Sequence, residues 1–226
     1  MNQHNKTRNN EEADEAYVTE LGYSVEPTVS HLFKVNITSD FEGPDYYTKV
    51  FNMLLQAAPT DVVRFIVSSY GGRMDGLQML LEGIRLTDAH TEVLLVGNAY
   101  SCASLLCMAV DEVIVLPHAD MLCHAVRFGI SGKSQDIVAM TEHTTKGSLK
   151  LFEEYYEGFL SQEEIKNVLK GEELYLHADD IVIRLAQREI YFEEKEKAIE
   201  ADKLSKTEAD SDVQPSKRRS TSKKKQ

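Results

Sequence analysis

Short runs of β-branched and apolar residues alternate with stretches of helical periodicity through the middle of this chain. The runs are Leu32–Ile37, Val62–Val67, Val93–Val96, Val113–Leu116 and Met121–His124, each of strand length and composition. Between them, Tyr47, Val50, Phe51 and Leu54 share one face of a helix over Tyr46–Ala57, and Leu77, Leu80, Leu81 and Ile84 one face over Met74–Leu86. Gln135–Phe159 reads as a long helix whose continuity Gly147 weakens, and Ala186–Glu200 as a charged surface helix. Strands interleaved with helices predict an α/β layer architecture with crossover connections. The continuous apolar runs predict strands buried on both faces.

Composition narrows the function classes. A chain of 226 residues with 42% hydrophobic content can bury the core of one substantial domain. The formal charge of −12 argues against a nucleic-acid-binding surface, which needs clustered Lys and Arg. No run approaches the ~18–20 apolar residues of a membrane span, and the first residues, MNQHNKTRNNEEADEAY, contain no apolar core of a signal peptide. Cys102, Cys107 and Cys123 form neither an even disulfide framework nor a metal-binding pair. A cytoplasmic protein with no metal and no cofactor is expected.

Polarity at both ends suggests the organisation: a disordered leader over 1–16, a folded body with its charged helix over 17–200, and a disordered tail over 201–226. The tail ends in a basic run, Lys217 to Lys225, that reads as a solvated face or an electrostatic contact for an acidic partner.

Three segments could carry chemistry. Ser68-Ser69-Tyr70-Gly71-Gly72 joins a strand to a helix, and its paired glycines let backbone amides approach an anion; an ordinary tight turn has the same look. Gly97-Asn98-Ala99-Tyr100-Ser101-Cys102-Ala103-Ser104 also leads from a strand into an apolar helix. A serine there is either a nucleophile in the field of a helix N-terminus or an N-cap, with Ser101 and Ser104 both eligible as caps. The spacing is not the Gly-x-Ser-x-Gly elbow of the α/β-hydrolases. His124 closes an apolar strand before a glycine-containing loop, as a catalytic base or a structural residue would; His4, His31, His90, His118, His143 and His177 are placed less well for a base.

Taken together and in order, these segments resemble the Clp protease proteolytic subunit (ClpP) family from Leu32 to about Ile183. FIVSSYGGRMDGLQML is similar to its Ser-Pro-Gly-Gly turn and following helix, and GNAYSCASLL to its Gly-x-Ala-x-Ser nucleophile segment. VLPHADMLCHAVRFGISGKSQDI is similar to its Leu-Pro-Asn-x-x-x-Met-x-His segment and the start of its long handle helix. LSQEEIKNVLKGEELYLHADDIV resembles the region of the third triad member, with Glu173 two residues before Tyr175. The resemblance implies a ClpP/crotonase-like fold of repeated β-β-α units and a Ser-His-acid serine endopeptidase. In it Ser101 is the nucleophile, His124 the general base and acid, Glu173 the residue orienting the imidazole, and Gly71 and Cys102 the amide donors of the oxyanion hole. It also implies a homo-oligomeric ring, heptameric and stacked, around a chamber that takes protein or peptide substrate, with an AAA+ unfoldase as partner.

Several positions depart from that pattern. Glu173 stands for an aspartate, with Asn167, Glu172 and Asp179 as fallbacks; Tyr70 stands for the proline before the glycines. Leu185-Ala186-Gln187-Arg188 replaces a Gly-Leu-x-Asp, and the first 30 residues do not resemble the axial segment that engages an unfoldase. A phage-encoded member that processes capsid proteins fits such divergence. Two competing readings are a catalytically inactive ClpP-like structural or regulatory subunit and, through the shared fold, an acyl-CoA hydratase or isomerase of the crotonase type.

Overall fold

A computed structural model describes residues 29–211, with side chains through 203, together with the two-residue strands β1 (Tyr17–Val18) and β2 (Ser24–Val25), which pair antiparallel. The expected leader, 1–16, and the basic run of the tail lie outside the described residues.

The body alternates strand and helix: β3 (Leu32–Ile37), α1 (Pro44–Gln56), β4 (Val62–Ser69), α2 (Met74–Leu86), β5 (His90–Tyr100), α3 (Cys102–Ala109), β6 (Glu112–Val115), β7 (Asp120–Cys123), α4 (Ser134–Tyr155), α5 (Gln162–Leu169), β8 (Leu174–His177) and α6 (Ala178–Ser211). The expected mixed α/β class and long handle helix, α4, are present. Strand order in the six-stranded sheet is β3-β4-β5-β7-β8, with β6 also beside β5. All pairings are parallel except β7 with β8.

The 11-residue β5 is the axis of the design. Its first half pairs Glu92–Leu95 with Glu112–Val115, and its last residues pair Asn98–Tyr100 with Asp120–Leu122. One strand therefore serves two successive neighbours, and the second exchange brings the end of β5 beside the end of β7.

The core sits on the face of the sheet covered by α1, α2 and α3. Phe65, Val67, Val93, Leu95, Leu77, Leu80 and Leu106 are fully buried there. Helix α3 is apolar on all sides and buries Cys102 through Met108, as a central helix must. Gly76 permits a close crossing: a Cβ at that position would fall 1.9 Å from the Glu42 carbonyl oxygen.

Three sequence expectations need correction. β4 alternates between buried and half-buried positions, so within the single chain one sheet face is packed and the other partly open, not both buried. That face carries polar residues at alternate positions, and Arg64 on β4 pairs there with Glu92 on β5 across the sheet. The charged helix is longer than Ala186–Glu200: α6 begins at Ala178 and continues through Ser211, eleven residues into the expected tail. The long helix ends at Tyr155 and not Phe159, because the chain turns at Gly158, whose φ is +75°. Gly147 does not interrupt it.

Candidate active site

The two strand-to-helix junctions singled out in the sequence meet. A Cβ built on Gly71 would lie 2.6 Å from Ser101 Cβ and 3.2 Å from Ser101 Oγ, so the glycine turn sits directly on the serine. Gly71 and Gly72 have φ of +106° and +139°, which an L side chain resists. The turn is strapped by Phe41, whose N–H donates to the Gly71 carbonyl at 2.7 Å and whose carbonyl accepts the Arg73 N–H at 2.8 Å. Tyr70, standing where the family pattern has proline, sets its ring edge-on to Tyr100 at 5.5 Å, and Tyr100 meets Tyr175 likewise at 6.1 Å.

Ser101 is held at φ +56°, ψ −118°, the one positive φ outside glycine among the described residues. Such a conformation costs about 1–3 kcal/mol and persists only where its surroundings impose it. Its N–H donates to the Leu122 carbonyl at 2.9 Å, which ties the junction to β7. Ser101 precedes the first residue of α3, yet its hydroxyl makes no capping bond. Ser104 does not cap either; its hydroxyl donates back to the Ser101 carbonyl at 2.7 Å. The capping alternative therefore fails for both serines.

Two kinds of amide surround the serine. The Cys102 N–H belongs to the first helical turn, where no intrahelical acceptor exists. The Gly71 N–H, expected to face the reacting oxygen, donates to Ser69 Oγ at 3.2 Å. The Gly72 N–H donates to no acceptor among the described residues. The Cys102 thiol is buried against the Gly72 carbonyl at 3.3 Å, and burial pushes its pKa up to about 11. It is a packing group, not a competing nucleophile.

His124 follows the last residue of β7 and is half-buried. Burial first, and then the Arg127 guanidinium, hold its pKa below the ordinary histidine value, so the ring is neutral near pH 7, as a general base requires. Among the described residues its ring bonds neither Ser101 nor a carboxylate.

Glu173 flanks the same end of the β7–β8 ladder as His124. The pairs Leu122–Tyr175 and Cys123–Leu174 close that ladder, and His124 and Glu173 are the next residues along the two strands. The Glu173 charge acts on His124 in the raising direction. Its carboxylate, however, is taken by the Arg127 guanidinium on one oxygen and by the Tyr175 hydroxyl, at 3.0 Å, on the other. Of the fallback residues, Glu172 and Asp179 are exposed, as Glu173 is, and Asn167 belongs to α5, where its carbonyl accepts the N–H groups of Lys170 and Glu172.

Arg127 and Tyr156 were not legible as site residues. Arg127 faces Glu173 across 46 residues of chain, and Tyr156 meets Ser104 across 52, separations that no local spacing reports. Elsewhere, His90, Glu92 and Glu112 bring one ligand atom each within 4.8 Å of one another. Arg64 already holds the Glu92 carboxylate and competes for the place a cation would take.

The strand-to-helix turn presents a strained serine against a glycine pair, and the strand that pairs with it, β7, ends just before His124. A Clp protease family model matches residues 34–200, and the chain belongs to that family as a ClpP-type peptidase domain. Members of the family generally form oligomeric rings and work with AAA+ unfoldases. No curated protein matches the chain. Among the described residues, no helix is long and apolar enough to cross a membrane.

Proposed function

We propose that this chain is a serine endopeptidase in which Ser101 attacks the scissile carbonyl. His124 takes the serine proton and returns it to the leaving amine, and Glu173 steadies the imidazolium. The observation that carries this reading is the backbone of Ser101: a strained serine that caps nothing and lies against a glycine turn. The Cys102 amide and the glycine turn supply the oxyanion donors. Gly72 offers an uncommitted N–H, and Gly71 must release Ser69 Oγ to contribute.

Hydrolysis is proposed to occur inside a homo-oligomeric ring, heptameric as in the family resemblance, with an AAA+ unfoldase feeding unfolded chains. Helix α4 supports assembly: of its 22 residues Phe152 is the one that is buried, while Val138 and Met140 stand 58% and 50% exposed in the single chain.

A second reading, an inactive ClpP-like subunit, is favoured by one observation: the Glu173 carboxylate is held by Arg127 and Tyr175 and not by His124. A fluorophosphonate probe separates the two. The peptidase reading expects Ser101-dependent labelling of the assembled protein, abolished in Ser101→Ala and strongly slowed in His124→Ala. No labelling supports the inactive subunit, and labelling unchanged in His124→Ala overturns the triad.

A further inference from the structure

Behind the nucleophile, on its core side, lie two hydroxyls that the proposed chemistry does not use. Tyr156 Oη and Ser104 Oγ are 2.6 Å apart, and the two residues are 1% and 0% exposed. Ser104 Oγ donates to the Ser101 carbonyl at 2.7 Å, and the Ser104 backbone N–H reaches the same oxygen at 3.0 Å. A hydroxyl has one proton to give, and Ser104 gives it to Ser101; the Tyr156 hydroxyl must then donate to Ser104. The chain runs one way, from Tyr156 through Ser104 to the Ser101 carbonyl, and each bond polarises the next.

This carbonyl belongs to the same planar, trans peptide as the Cys102 N–H. Holding the oxygen toward Ser104 and the core turns the amide the opposite way. Ser101 could leave its conformation by a flip of this one peptide: from ψ −118°, roughly half a turn reaches the left-handed well, near ψ +47°, at the expense of the helical φ of Cys102. Residues other than glycine occupy that well more readily. Such a flip would carry the Cys102 N–H away from the oxyanion side.

We infer that Tyr156, acting through the Ser104 hydroxyl, is a positioning residue that opposes this flip and keeps the Cys102 amide aimed at the developing oxyanion. The inference depends on the reading of Ser101 as nucleophile. Tyr156 is well anchored for the task. Its N–H donates to the Phe152 carbonyl at the end of α4, its ring packs on Phe152 at 5.3 Å, and its hydroxyl borders the thiol of Cys123, the residue before His124. Burial holds its pKa well above the ordinary tyrosine value, so it remains a donor across the working pH range.

The test uses the full chain in its assembled form, carrying Tyr156→Phe, Ser104→Ala or Ser104→Thr. Readouts are kcat and KM on a short fluorogenic peptide, affinity for a peptide boronate that forms a tetrahedral adduct, and melting temperature. Tyr156→Phe removes one oxygen from a filled site and keeps its packing. The expected result is a kcat lowered roughly five- to twentyfold in Tyr156→Phe and Ser104→Ala, with KM within about twofold and boronate affinity falling in step with kcat. Ser104→Thr restores the hydroxyl and most of the turnover. Wild-type kcat in both hydroxyl-deleted variants overturns the inference, as does a loss that follows the unfolded fraction or falls on KM. Wild-type protein that no fluorophosphonate labels defeats the nucleophile reading itself; labelled wild type with undiminished variants defeats this inference alone.

Discussion

The backbone N–H of Ser101 donates to the carbonyl of Leu122 at 2.9 Å, two residues before His124. This bond continues the β5–β7 ladder one residue past Tyr100, and with it the strand carrying the serine and the strand carrying the histidine end side by side. The pairing exists because β5 is long enough to exchange β6 for β7 partway along its length. Any peptidase chemistry in this chain depends on that exchange.

Gly71→Ala should disable the site. The new methyl would meet Ser101 Cβ at 2.6 Å and adopt φ +106°, so the turn and the serine must separate. Turnover is expected to fall about 100-fold or more, the scale of losing an oxyanion donor. Gly147→Ala is the contrast: nothing lies within 4 Å of its Cβ position in mid-helix, so activity holds and stability rises by about 1 kcal/mol. Peptide hydrolysis and urea unfolding of the two variants check both statements.

The pH profile should respond in opposite senses to the two partners at the site. His124 must be neutral to act as a base, and its lowered pKa places the acid limb of kcat/KM below the ordinary histidine value. In Arg127→Gln a repelling positive charge disappears and Glu173 is released, so the limb moves to higher pH. In Glu173→Gln an attracting negative charge disappears, and the limb moves to lower pH. A profile unmoved by both substitutions would show that neither charge reaches His124.

Much of the fold was legible because strands and helices announce themselves locally. Leu32–Ile37 and Met74–Leu86 match their expected bounds, since apolar spacing alone dictates which face is buried. The run Val93–Val96 is the centre of a longer strand, β5, which begins at His90 and ends at Tyr100. The sequence pattern marks only the charged part of α6, because the first turns carry apolar residues, with Ala178 and Ile181 buried, and the later turns are charged. Ser101 and His124 stood out through their junctions; the partners of Glu173 did not.

Stability at low pH should depend on Glu164. The Arg184 guanidinium, which bonds it at 2.7 Å, holds its pKa down to about 2, with Ser161 adding further bonds. A carboxylate whose folded pKa lies below its unfolded value stabilises fully above the unfolded value, and loses that stabilisation as pH falls from about 4.5 toward about 2. Glu164→Gln can keep the capping box with Ser161 but not the ion pair. It should cost about 1–2 kcal/mol near pH 7, after allowance for partial solvent screening, and flatten the acid limb of the stability curve. Thermal melts across that pH range test it.

The alternation of strands and helices, the two glycine-and-serine junctions and the family to which they point are all legible along the chain, because each depends on residues a few positions apart. Packing in three dimensions brings the junctions into contact, strains Ser101 without making it a cap, sets Arg127 on Glu173 and lets Tyr156 reach Ser101 through Ser104. Those relations join residues 30 to 52 positions apart. Their geometry follows from strand register and side-chain packing across the sheet, which local spacing does not encode.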